Sequence, residues 1–308
     1  MPSKMKLKAP IKPTRKTHTD EPQPSSSYPA VVGVHNTLLA FAALFLPQSK
    51  GHLELAGQFP GAVRFSSTDH PQRSFLVAIT TNPTLTLLSL CASAALLQSW
   101  WAGWIRGWYA ELSLQGTAEE VEMQKVDMRQ RKASQIFGAW MTVLVSSLLV
   151  HSILIIFGAP IASQVAKTYL LSLLFSVLAV FPPAYALGAP SSLTSKSPAA
   201  LVTKFTWTRV FAEMSMRNSA ERALLYPALG ATVGCWVGIF PVALDWDRPW
   251  QAWPLTPAYG IVAGYILGSL AALTVTATLH LASQGQRIYQ QEQQVQAQDD
   301  KTKPKRVA

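Results

Sequence analysis

Two ladders of glycine, one on each side of a charged bend, constrain this chain more than any other feature. Gly230, Gly234 and Gly238 recur at four-residue spacing in one apolar run, and Gly260, Gly264 and Gly268 do so in the next. Residues four apart lie on one face of a helix. Each ladder is therefore a ridge without side chains, along which a second backbone can approach closely. Glycine in a helix interior costs about 1 kcal/mol relative to alanine, so repeated glycines in register call for a compensating contact. Either the two ridges pack on each other, or one accepts a helix of another protein.

The ladders belong to a longer series of apolar runs. Six spans are expected: 28–46, 75–97, 136–157, 165–187, 222–240 and 258–281. At 1.5 Å per residue, roughly twenty residues cross a hydrocarbon core of about 30 Å. The spans are read as helices because a lipid-exposed backbone must satisfy its own hydrogen bonds. His35 and Asn36 interrupt the first span, and Pro83 is expected as a tolerated kink in the second. A turn at Gly158-Ala159-Pro160 makes the third and fourth an antiparallel hairpin. The fold class expected is an all-α polytopic membrane bundle of about six transmembrane helices with disordered tails. Its domain plan is a disordered basic tail over 1–29, a transmembrane domain over 30–281, and a Gln-rich, basic tail over 282–308. Between spans, 117–135 is charged and reads as a solvated helix, and 188–204 reads as irregular.

Composition agrees, with 49% hydrophobic and 14% charged residues in 308, against about 25% charged in a soluble domain. The net charge of +10 is not a nucleic-acid footprint, because the basic residues sit in tails and alternate loops and form no stripe. Counted along six spans, 21 Lys and Arg fall on the side of both termini and five on the other. By the positive-inside rule both termini are cytosolic, and the bend between the ladders faces away from the cytosol. No cleavable signal peptide is expected.

That bend, LDWDRPWQAWP over Leu244–Pro254, carries Asp245, Trp246, Asp247, Arg248, Trp250 and Trp253. Pro249 can open a short helical turn. The i, i+4, i+7 spacing would then set the three indoles on one face, in the interfacial belt where such rings partition. Interfacial anchoring is one role. The other is a headgroup-facing cradle in which Arg248 pairs a phosphate and the two aspartates balance Arg248 or cap the turn. Trp100, Trp101, Trp104 and Trp108 read as a second belt at the opposite interface. Inside the bilayer His151 stands beside Ser146, Ser147 and Ser152. It is a candidate functional residue or, more simply, an interhelical hydrogen bond. Asn82 has the same two readings, and Glu221 at the start of the fifth span reads as a cap.

Chemistry-bearing motifs are sparse. Cys91 and Cys235 form neither a disulfide framework nor a metal pair, and the six histidines are scattered. No Walker loop or nucleophile elbow occurs. The D-x-D at Asp245 and Asp247 is the only carboxylate pair that could serve a lipid-modifying enzyme or flippase, together with Arg248 and His151. No metal site, cofactor or catalytic residue is assigned.

The segment ERALLYPALGATVGCWVGIFPVALDWDRPWQAWP over Glu221–Pro254, with PAYGIVAGYILG after it and HSILIIFGAP before it, resembles the PIG-F family of glycosylphosphatidylinositol (GPI) anchor biosynthesis. The resemblance runs over 136–281, and the tails look like those of a fungal member. It implies an endoplasmic reticulum membrane protein that is not itself an enzyme. Its partner would be the catalytic subunit of a GPI ethanolamine-phosphate transferase, which adds phosphoethanolamine to GPI mannose. The chain would bind and stabilise that subunit, with the GPI precursor nearby. The lipid-handling protein of the same pathway is the alternative.

Overall fold

The structure, a computed structural model, describes residues 27–58, 74–113, 130–190, 197–244 and 248–302, with 119–120, 122–123, 126 and 246 between them. Every regular element among the described residues is helical: α1 Tyr28–Phe45, α2 Lys50–Gln58, α3 Ser74–Thr80, α4 Pro83–Ser113, α5 Lys132–Ile156, α6 Val165–Ala179, α7 Phe181–Ala186, α8 Pro198–Trp207, α9 Ser219–Val237 and α10 Leu255–Thr302. Five are long and apolar enough to cross a membrane. They are α1 and α9, each with the short turn that follows it, α4, α5, and α10 over Leu255–Gln296. The chain is a multi-pass, all-α membrane protein.

Of the described residues, those up to Ala277 form a bundle, and those from Thr278 belong to a second unit. In the bundle the core lies where α4, α6 and α7 meet α5, α9 and the start of α10, around Leu87, Leu174, Phe181 and Ile261. A second apolar cluster joins Tyr28 and Val32 of α1 to Trp101, Ile105 and Trp108 of α4 and to Ala220 and Leu224 of α9. In the second unit the helix of α10 runs on to Thr302, with Ser283 donating to the His280 carbonyl at 2.7 Å.

Several local expectations change. Pro83 does not kink one long helix. It opens α4, and the chain leaves helix between α3 and α4. Asn82 is the reason: its Oδ1 accepts from Leu85 N–H at 3.2 Å, an N-cap bond, while its Nδ2 donates to the Ala56 carbonyl at 3.3 Å. The fourth span is split at Val180 into α6 and α7. Pro182 and Pro183 bring no N–H, so the ladder from α6 cannot run through them and α7 restarts with proline in its first turn. The loop expected to be irregular is helical from Pro198. Ser197 accepts from Ala200 N–H at 3.3 Å and a proline follows it, two N-terminal signals side by side.

The C-terminal segment read as a disordered tail is helical to Thr302. Between Gln286 and Thr302 it holds Gln, Ala, Glu and Arg and neither Gly nor Pro, so propensity carries it. The basic tail over 1–26 lies outside the described residues, as does most of the charged segment over 117–131.

Candidate functional site

The six ladder glycines face one another. A methyl carbon on Gly234 would run into the carbonyl oxygen of Gly260, and one on Gly260 into that of Gly234. Gly230 and Gly264 stand in the same mutual relation. A methyl carbon on Gly238 would come within 2.6 Å of the Thr256 carbonyl oxygen and the Pro257 Cα, and one on Gly268 would meet the backbone of Tyr226 and Pro227. α9 and α10 are thus antiparallel, backbone on backbone, over all rungs. Each ladder fills the other, so neither is an open groove for a foreign helix. The partner-docking role considered for the ridges gives way to an internal clasp.

The bend closes the clasp. Pro249–Gln251 form a single tight turn, with proline first as the sequence suggests. The keystone is Gln251, which the sequence reading passed over. Its Oε1 accepts from Arg248 N–H at 2.9 Å, and its Nε2 donates to the carbonyls of Pro241 and Leu244 at 2.6 Å each. One side chain thereby ties the turn to the short turn Phe240–Ala243 that follows α9. The signal was present, since a Gln three residues after a helix N-cap reaches back to the cap N–H.

The three tryptophans do not share a face. Trp246 and Trp250 pair with ring centres 5.7 Å apart. Trp253 turns away and its Nε1 donates to Thr168 Oγ1 of α6 at 3.0 Å. The turn is too short to carry helical spacing to the third indole, because the backbone leaves helix at Ala252 (ψ 125°). The result is two apolar grooves beside the bend. Trp250 lines one of about 330 Å3 with Leu44, Phe75 and Tyr259. Trp253 lines the other, about 300 Å3, with Leu154, Pro160 and Ile239. Arg248 is partly exposed at the head of the turn. Asp245 and Asp247 lie outside the described residues, so their relation to Arg248 is not part of this geometry.

His151 is elsewhere in its chemistry. Its ring meets Tyr169 of α6 edge-on at 6.0 Å, and its Nδ1 has no hydrogen-bond partner. The serines do not bond it. Ser146, Ser147 and Ser152 return their hydroxyls to carbonyls of their own helix, at 3.0, 2.8 and 3.0 Å. Among the described residues, no group of three His, Cys, Asp or Glu is placed to hold a metal.

The second tryptophan cluster is only partly interfacial. Trp100 is exposed, but Trp101 and Trp108 are buried at 1% and 4%. Trp101 stacks on His35 at 4.9 Å and Trp108 tilts on Tyr28 at 4.7 Å. They are core residues that seat α1. Glu221 does more than cap. Asn218 is the N-cap of α9, accepting from Glu221 N–H at 2.9 Å. The Glu221 carboxylate takes a two-pronged bond from Arg209, 2.9 and 2.5 Å, and the Arg217 N–H at 2.7 Å.

These features define a helical multi-pass membrane protein whose last two spans are locked by a glycine clasp under a tryptophan-rich bend. The chain matches the family described as GPI biosynthesis protein family Pig-F over residues 70–273, and it belongs to that family. The match starts well before residue 136, so α3 and α4 are part of the family fold too.

The chain is 29% identical over 137 residues to a mouse protein named GPI ethanolamine phosphate transferase, stabilizing subunit, covering 44% of this chain and 57% of that one. It is 32% identical over 132 residues to glycosylphosphatidylinositol anchor biosynthesis protein 11 of Pyricularia oryzae, covering 43% and 44%. The protein of that name in Neurospora crassa matches at 27% over 209 residues, covering 64% and 68%. The chain spans about half the length of the first two relatives. No solved structure matches it.

Proposed function

We propose that this chain is a non-catalytic membrane subunit that binds and stabilises a GPI ethanolamine-phosphate transferase, the enzyme that adds phosphoethanolamine to GPI mannose. The observation that carries the reading is the relatives' own name, a stabilizing subunit of that transferase, beside a family match that takes in the clasp. The clasp then acts indirectly. It fixes the α9–α10 pair as a rigid unit and leaves its outer surfaces to the partner. The bend, with a partly exposed Arg248 and an apolar groove lined by each of Trp250 and Trp253, suits a position beside the lipid precursor. Depleting the protein should lower the transferase's steady-state level and accumulate GPI intermediates that lack terminal phosphoethanolamine, read by mass spectrometry. A block at the first sugar steps, or phosphoethanolamine transfer by the purified chain alone, would overturn the reading.

We place the protein in the endoplasmic reticulum membrane with both termini cytosolic and the bend lumenal, on the strength of the charge asymmetry. A glycosylation acceptor sequence inserted beside Trp246 should be modified in cells, and one in the N-terminal tail should not. The opposite pattern on a folded chain would refute the orientation.

A further inference from the structure

Eight side-chain polar atoms are buried in one region without a well-formed hydrogen bond, the approaches of His35 to Asn36 and of Trp101 to Tyr265 being poorly aligned, and the clasp and bend use none of them. They are Tyr28 Oη, both ring nitrogens of His35, both amide atoms of Asn36, Gln98 Nε2, and the indole Nε1 of Trp101 and Trp108. The other such atoms among the described residues occur singly, on His52, Gln135, His151, Ser176, Ser219 and Thr256. The cluster is deeply enclosed: none of its six residues is more than 6% exposed. Ring contacts string Tyr28, His35, Trp101 and Trp108 along the seam between α1 and α4, through Trp104. His35 stacks on Trp101 at 4.9 Å, Tyr28 lies on Trp108 at 4.7 Å, and Tyr265 of α10 meets His35 edge-on at 5.8 Å. Tyr265 Oη donates to Gln98 Oε1 at 3.3 Å, leaving the Gln98 amine unspent.

A buried donor or acceptor left without a partner carries the full desolvation penalty, and native proteins seldom tolerate it. Here such groups are gathered, and they are of both kinds. The two indoles and the Gln98 amine only donate. The Asn36 carbonyl oxygen only accepts, and the His35 ring and the Tyr28 hydroxyl can do both. An anion would meet only the donors, and a cation only the acceptors. The occupant that fits is small, uncharged, and able to donate and accept at once. We propose that α1, α4 and Tyr265 enclose an internal hydration site, a cluster of ordered waters bonded to Tyr28, His35, Asn36, Gln98, Trp101 and Trp108. Bound waters of this kind make about three hydrogen bonds each to otherwise unsatisfied groups.

The site has a consequence for assembly. Tyr28, His35 and Asn36 precede residue 70, where the family match begins, whereas Gln98, Trp101, Trp108 and Tyr265 lie inside it. The waters are the polar joint that holds α1 on the family bundle. Tyr28, at one edge, is within electrostatic reach of Arg222, which donates to Thr276 at 3.3 Å.

X-ray radiolytic footprinting of the full chain in detergent micelles tests this, because radicals form from bound water at the site itself. Tyr28 and Tyr265 should oxidise several-fold faster than Tyr185, an equally buried tyrosine outside the cluster, 4% exposed. The double variant His35→Phe, Asn36→Leu should bring Tyr28 down to the Tyr185 rate while the chain still elutes as a folded species. Should that variant not fold, Trp108→Phe, which deletes one donor and keeps the ring packing, should slow Tyr28 measurably. Equal rates for the three tyrosines in the native chain would overturn the proposal. Undiminished Tyr28 labelling in a folded variant would overturn it as well, since bulk solvent would then be the source.

Discussion

Gly234→Leu is expected to prevent α9 and α10 from closing, and Gly234→Ala to destabilise the folded chain by about 1–3 kcal/mol, the usual cost of overpacking. The reason is what the new carbon meets. At Gly234 it is the Gly260 carbonyl oxygen and backbone carbon, with the Gly264 Cα at 3.0 Å behind them. Backbone cannot rotate aside as a side-chain tip can, so the helices must separate along their length and the other rungs lose contact too. The chain carries its own controls. Gly103 and Gly107 lie inside α4, and a methyl group on either meets nothing within 4 Å. Alanine there should be neutral or stabilising by up to about 1 kcal/mol, through helix propensity alone. Thermal unfolding of the purified variants in detergent reads the contrast directly. If Gly234→Ala were as stable as Gly103→Ala, the clasp would not be a close-packed contact. In cells the same variant should lower the abundance of the proposed transferase partner, because a subunit that does not hold its own last two spans presents no defined surface.

The clasp was legible because four-residue spacing is a one-dimensional signature of a helix face. The sequence alone left open whether the two faces meet each other or a foreign helix, since both contacts require the same glycines. The apolar runs were legible for a similar reason: length and hydropathy are local properties. What stayed hidden was anything set by three-dimensional partners. Trp101 and Trp108 match an interfacial belt in composition, yet they are buried because Tyr28 and His35 come across from α1. Trp253 has helical spacing from Trp246 but follows a turn too short to propagate it. Gln251 is one polar residue among many until the turn that follows α9 brings the Pro241 and Leu244 carbonyls to its amide. The helix starts at Pro83 and Pro198 are a different matter. Their signals, Asn-Pro and Ser-Pro at an N-cap, were local and could have been read as boundaries.

Glu221→Ala is expected to be among the most damaging single substitutions outside the clasp, costing about 3–5 kcal/mol as a buried charge loses its counterpart. Glu221 is 1% exposed and sits three residues past the N-cap of α9. Its carboxylate accepts from both terminal nitrogens of Arg209 and from Arg217 N–H. Arg209 lies in the single π turn, Thr208–Ala212, that ends α8. Its guanidinium also donates to the Ser215 carbonyl at 2.6 Å, across a turn that passes through Met214 with a left-handed φ of 51°. Bonding to Glu221 holds the Arg209 guanidinium above its ordinary pKa, so it stays charged at any working pH. The pair thus joins α8 to the start of α9, the helix that carries the first glycine ladder. Arg209→Ala should cost less than Glu221→Ala, because the Arg209 side chain is 14% exposed against 2% for Glu221, and the carboxylate keeps its Arg217 bond. The double variant should be less damaged than the sum of the two, with a coupling of about 1–3 kcal/mol in a double-mutant cycle measured by thermal unfolding. Glu221→Gln separates charge from shape. It can still accept from Arg217 and Arg209 but leaves the guanidinium uncompensated, so it should fall between the native chain and Glu221→Ala. Strict additivity of Arg209→Ala and Glu221→Ala would mean that the two residues act independently, and α8 would then owe its position to other contacts, such as the bond from Trp207 Nε1 to the Gly188 carbonyl at 2.9 Å.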